Sequence, residues 1–196
     1  MLDARPIITF ASRSHLRDWL ALNHATSGSI WLASFKKSHR DYVPYPELVA
    51  ELLCWGWIDS LPKAIDATRS ALLIAPRNPK SAWSAINKAH VIRNRAAGLM
   101  APSGEAAVAN AQANGMWDFL NDVDALIDPP DLLNALGEHL PVWQALPNSV
   151  RRGTLEWIKT AKTTKTRADR IAEVVDSTRQ GLRPRLFRRQ AASIRT

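Results

Sequence analysis

The stretch "PYPELVAELLCWGWIDS", residues 44–60, decides how the chain folds. Pro46 suits the first turn of a helix, where an amide hydrogen would have no partner anyway. Leu48, Val49 and Leu52 then share one helical face. Gly56 suits the position just past a helix C-terminus, because it adopts left-handed backbone angles without steric cost. Trp57 to Ser60 follows as a short strand. The two tryptophans straddle the glycine stop, so Trp55 and Trp57 are expected to diverge, one inward and one onto a surface or groove. A helix, a glycine stop and a strand in direct succession predict a fold that mixes both element types.

The flanking segments extend this pattern. Residues 12–25, "SRSHLRDWLALNHA", place Leu16, Trp19, Leu20 and Asn23 at helical spacing, with Ser12 or Ser14 as cap. "SIWLASFKK", 29–37, and "TRSALLIAP", 68–76, are rich in strand formers, and Pro76 ends the second. Beyond it the reading is helical. Ser81 is the expected cap of a helix running to Gly98, with Trp83 and Ile86 facing the core. Ser103 is the expected cap of a helix to Gly115. Asp128 is the expected cap of a helix opened by Pro129 and Pro130, and Leu140 to Leu146 form a short helix or turn. Asn148 or Ser149 opens the next helix, and Thr166 caps one that ends at Gly181. The predicted class is α+β: a small antiparallel sheet in the N-terminal part, about residues 29–76, packed with five or six following helices. Residues 1–182 are expected to form a single domain, and 183–196 a flexible basic tail.

Composition narrows the function classes. The chain has 196 residues, of which 46% are hydrophobic, enough for a sizeable core. It has no apolar run of membrane-spanning length. Its first residues, "MLDARPIITFASRSH", lack the apolar stretch of a secretory signal. Its one cysteine, Cys54, excludes an internal disulfide and a cysteine-built zinc site. A cytoplasmic location is the expectation.

The net charge of +8 is unevenly spread. Residues 1–104 hold 13 Lys/Arg against 7 Asp/Glu, residues 105–150 hold none against 7, and residues 151–196 hold 13 against 4. The acidic middle can therefore neutralise part of a basic block by packing against it. The last acid is Asp176, and the arginine-rich end "RPRLFRRQAASIRT" suits weak, non-specific contact with nucleic acid or anionic lipid.

Enzyme templates fail in turn. The five histidines show no metal-ligand spacing. HExxH, GxSxG and GxGxxG are absent, and no cofactor is implied. The more pointed feature is "APRNPKSAWSAINK", 75–88, in which two prolines bracket Arg77 and deliver Lys80 and Ser81 to a helix mouth. Cations beside free N–H groups make an anion cradle. Asp59, on the short strand, needs a cation or an N–H group there, and Lys36, Arg69 and Arg77 are its candidate partners. The candidate ligand site is Lys36, Trp57, Asp59, Arg77, Lys80, Ser81 and Asn87, converging between sheet and helix.

The motifs occur in a recognisable order: Trp19-Leu20 with Asn23-His24, "IWLASFKK", "LCWGWIDS", "PRNPKSAWSAIN" and "TAKTTKTRADRI". Together, across residues 10–182, they resemble the YdeI/OmpD-associated family of bacteriocin-protection proteins. The positions that match its pattern include Lys36, Lys37, Gly56, Trp57, Asp59, Arg77, Ser81, Trp83, Asn87, Lys162, Thr166, Arg167 and Arg170. "LLIAPR" departs from it, since the family tends to an aromatic and a threonine before Pro-Arg. The resemblance implies a small bacterial α+β protein linked to stress or antimicrobial resistance. It implies no reaction, cofactor or catalytic residue. The expected function is therefore non-enzymatic: binding of a small anionic ligand, or of a protein partner, at the Arg77/Ser81 helix mouth. Two alternatives are a small-molecule enzyme with Asp59 as acid/base, and a non-specific nucleic-acid binder using Lys162, Lys165, Arg167, Arg170, Arg183, Arg185, Arg188 and Arg189.

Overall fold

The computed structural model describes residues 5–188, which fall in two compact units divided between Phe119 and Leu120. The class is α+β, with the whole sheet in the N-terminal unit. The elements of that unit run β1 (Ile7–Phe10), α1 (Arg13–Asn23), β2 (Ile30–Phe35), α2 (Tyr45–Cys54), β3 (Trp57–Ala64), β4 (Arg69–Pro76), α3 (Ala85–Ala96) and α4 (Pro102–Ala113). The sheet order is β1-β2-β4-β3. β2, β4 and β3 pair antiparallel, as read from the sequence. β1 adds a parallel edge strand, Ile7 opposite Trp31. It lies outside the segment expected to form strands, because four residues are too few to show a period.

The α2 helix is the hub. All seven residues from Leu48 to Cys54 are buried, so it is covered on every side, as a helix with more than one apolar face must be. Leu48 and Leu52 join Phe10, Leu16, Leu20, Trp57 and Ile74 between helices and sheet. Val49 and Leu53 pack instead with Trp83, Val91 and Val108. The one charged residue in this run, Glu51, is 1% exposed and is met by Arg13 at 2.8 Å, Arg17 at 2.7 Å and the Trp55 Nε1–H at 3.1 Å. The two tryptophans do diverge: Trp57 is buried, while Trp55 is half-buried beneath Arg17 and beside His24.

Close packing fixes the end of α2. Gly56 has φ +73°, the left-handed stop expected of it. The Ala101 N–H donates to the Cys54 carbonyl at 3.0 Å, and a Cβ on Gly104 would overlap that same oxygen. The following strand, β3, runs to Ala64 rather than Ser60, with a register shift between Asp59 and Pro62. An edge strand tolerates a proline there, since no ladder hydrogen bond need be lost.

The C-terminal unit contains α5 (Asn121–Asp124), α6 (Pro130–Leu136), a 3-10 turn (Gly137–His139), α7 (Leu140–Gln144), α8 (Asn148–Lys159), α9 (Thr164–Arg179) and a second 3-10 turn (Arg185–Phe187). Seven α-helices thus follow β4 among the described residues. The one missed is α5, a single turn of four residues. The acidic middle pairs with the basic block that follows it: Asp122 with Lys159 at 2.5 Å, Asp124 with Arg152 at 2.7 Å, Asp128 with Arg151 at 2.9 Å and Asp131 with Arg167 at 2.7 Å. No helix among the described residues is long and apolar enough to cross a membrane.

Several expected caps move. Ser84, not Ser81, caps α3, accepting from the Asn87 N–H. Pro102 opens α4, so Ser103 lies inside the helix. Asp128 accepts from Trp143 Nε1 at 2.9 Å instead of capping α6. Thr163 caps α9, accepting from the Thr166 N–H. Within the segment read as a tail, residues 183–188 are held against α8 and α9. The Arg185 N–H donates to Glu173 at 2.7 Å, and the Phe187 ring lies over Gly153. Residues 189–196, Arg189 among them, lie outside the described residues.

Candidate functional site

The site grows from the end of β4. Pro76 closes the strand, and the Arg77 N–H donates to the Gly56 carbonyl at 2.9 Å, tying the loop to the end of α2. Asn78 turns the chain. Its side-chain oxygen accepts from the Lys80 N–H at 2.9 Å, and its carbonyl accepts from Ser81 N–H at 2.9 Å. The Pro79 carbonyl accepts from Asn114 Nδ2 at 2.9 Å, and the Trp83 N–H donates to Met116 at 3.0 Å. The loop is therefore pinned at both ends, with Arg77 held in a fixed place.

The Arg77 guanidinium lies 4.0 Å above the centre of the buried Trp83 ring and donates from Nη2 to the Ala82 carbonyl at 2.6 Å. Stacking on tryptophan is favourable for a cation but does not replace a counter-charge. No acidic side chain pairs with Arg77 among the described residues, and burial pushes its pKa down to about 10. Its Nε is buried without a hydrogen-bond partner, as is the Ser103 Oγ. Both residues line one cavity of about 220 Å³, shared with Asn78, Trp83, Ala106 and Asn110, and no carboxylate lines it. The cleft thus carries one positive charge, from Arg77.

Of the seven residues expected to converge, the structure brings Arg77 alone to this cavity. Lys36 lies at the other end of β4: its backbone N–H meets Thr68, and its ammonium donates to the carbonyls of Asp66 and Ala67. Trp57 is a core side chain, 1% exposed, with its Nε1–H on the His24 carbonyl. Asp59 pairs across from Ile74 and accepts from the Tyr45 hydroxyl at 2.9 Å. Burial and that bond push the Tyr45 pKa up to about 12. None of Lys36, Arg69 and Arg77 is the partner of Asp59. Arg69 pairs with Asp66 and holds that carboxyl well below its usual range. Lys80 is exposed, and Ser81 and Asn87 are partly exposed, off the cavity. The residues that sequence reasoning missed are Ser103 and Asn110, on a helix remote in sequence. Trp83 is, as expected, a core residue, but it is also the floor under Arg77.

Four of the eight cations proposed to touch nucleic acid are committed within the C-terminal unit. Lys165 pairs with Asp169 at 2.8 Å, and Arg167 forks onto Asp131. Arg170 stacks on Trp157 and donates to its carbonyl. Arg188 donates to Ser177 at 2.6 Å and lies 3.9 Å from Glu173. Lys162, Arg183 and Arg185 have no acidic side-chain partner among the described residues. No group of three His, Cys, Asp or Glu among the described residues could hold a metal ion.

Comparison with known families gives two separate matches, one within each unit. Residues 8–107 match a family described as a domain of unknown function, DUF8412, and residues 126–181 match the family described as bacteriocin-protection, YdeI or OmpD-associated. No curated protein and no solved structure matches the chain. The motif "TAKTTKTRADRI" falls inside the second match, whereas "IWLASFKK", "LCWGWIDS" and "PRNPKSAWSAIN" fall inside the first. Arg77 and Ser103 both lie within residues 8–107. The chain belongs to the DUF8412 family by its N-terminal half, and its C-terminal half carries the YdeI/OmpD-associated segment.

Proposed function

We propose that the N-terminal unit is an anion-binding module and that its ligand sits on Arg77. One observation carries this reading: a partly buried guanidinium lines a cleft and has no acidic side-chain partner among the described residues, while its Nε, like the Oγ of Ser103 in the same lining, is buried without a hydrogen bond. A buried charge without compensation is costly, and a bound anion would remove that cost. Arginine also offers a planar fork of donors that matches an oxyanion. The role is read as non-enzymatic, since among the described residues no carboxylate, histidine or cysteine lines the cleft. The family description of the C-terminal segment, bacteriocin-protection, makes a stress- or resistance-related role the reading that fits best.

Isothermal titration of the full chain with acetate and with inorganic phosphate tests this. The Arg77 side-chain Nε–H resonance reports the location. Binding of at least one anion should shift that resonance, and Arg77→Gln should lose the binding at least tenfold. Equal binding by Arg77→Gln, or no binding of either anion to the parent protein, would remove the proposal.

A further inference from the structure

We infer that the ligand of this cleft is a small monocarboxylate with an apolar body, an inference that rests on the anion-binding reading above. Three features of the cavity point to it. First, the charge is single: among the described residues Arg77 is the one cation that lines it, and the polar side chains of Asn78, Ser103 and Asn110 are neutral. A dianion such as a phosphate monoester would bring an uncompensated second charge into a partly desolvated site. A monoanion is matched. Second, the Arg77 guanidinium is a planar fork of donors held in place by its Nη2 bond to the Ala82 carbonyl, a shape that suits the two oxygens of a carboxylate.

Third, the remaining wall is apolar. Ala106, Ala107 and Ala111 of α4 line the cleft together with the Trp83 ring on which Arg77 stacks. Their small side chains leave the space that larger ones would fill. An apolar cavity of about 150 Å³ is enough to hold benzene. The cleft here, about 220 Å³, has room for a body of that size together with its carboxylate. Binding of this kind uses one ion pair for orientation and apolar contact for affinity.

The test is a titration series on the full chain: acetate, butyrate, benzoate and inorganic phosphate, each followed calorimetrically and through the Arg77 Nε–H resonance. Affinity should rise about fourfold for each methylene buried between acetate and butyrate. Benzoate should bind tightest, and phosphate at least tenfold more weakly than benzoate. Ala106 is exposed, so Ala106→Leu folds and shortens the cleft. It should weaken benzoate at least tenfold while leaving acetate within twofold. If phosphate binds as tightly as benzoate, or if acetate, butyrate and benzoate bind alike, the carboxylate class is wrong while anion binding stands. If no probe moves the Arg77 resonance, both readings fall together.

Discussion

Gly104 shows how a single position can decide the packing of the site. Helix α4 crosses the end of α2 so closely that any Cβ at residue 104 would enter the space of the Cys54 carbonyl oxygen. Helix backbones reach such separations only where the side chain is a hydrogen. Gly104→Ala should therefore cost about 1–3 kcal/mol or more, because backbone rather than a flexible side chain must yield. Gly28→Ala is the control, since nothing lies within 4 Å of its Cβ. Urea unfolding of both variants checks the contrast, and equal stabilities would show that α4 slides away freely. At this scale the sequence was legible only in part. Arg77 was marked by its bracketing prolines, and Gly56 by its place after an apolar run. Ser81 and Ser103 were misplaced by a few residues, because a serine near a helix start is a plausible cap at several positions. Only the backbone angles choose among them. Asn110 gave no signal, since nothing local distinguishes an asparagine that lines a cleft from one in solvent.

The elements of the C-terminal unit are joined by charge. The acids of residues 122–131 meet cations of α8 and α9, so the composition of the acidic middle was legible while its pairing was not: a run of like charge names no partner. The pairs should differ in weight according to their burial. The side chains of Arg151 and Asp128 are 13% and 9% exposed, and Asp128 also accepts from the Trp143 indole. Removing one member leaves the other charged, desolvated and alone. Asp128→Ala should cost about 3–5 kcal/mol. Asp131 is 49% exposed and Arg167 is 30% exposed. Asp131→Ala should cost under about 1 kcal/mol, even though its fork with Arg167 is geometrically good. Chemical denaturation of the two variants in the full chain separates them. If the two losses are equal, burial is not what sets the strength of these pairs. The same accounting bears on the nucleic-acid reading, because a cation already held by an acid gains little from a phosphate.

Across the whole chain, the charge blocks and the structural units do not share a boundary. The change from basic to acidic composition falls at residue 105, inside α4, whereas the units divide after Phe119. This is why the division was illegible: patterning reports elements, and the split depends on which elements touch. Both units nonetheless contain carboxylates whose pKa is held down. Asp131 is lowered chiefly by its bond to Arg167, and Glu105 by its bond to Arg95. In Asp122, burial acts upward but is outweighed by Lys159 and the Val123 N–H. A carboxylate with a folded pKa below its unfolded value stabilises the fold above the unfolded value, near 3.8 for aspartate, and loses that contribution as pH falls through the folded one. Acid therefore acts twice on this protein. It removes these contributions, and it leaves 26 Lys/Arg and 5 His unopposed by carboxylates, so that the compact state repels itself. Stability should fall steeply below about pH 4. The double variant Asp122→Asn with Asp131→Asn should be less stable than the parent at pH 7, and its stability should change less between pH 5 and 2. Urea midpoints measured at each pH give both slopes. Parallel slopes for parent and variant would mean that these two pairs contribute nothing to acid sensitivity.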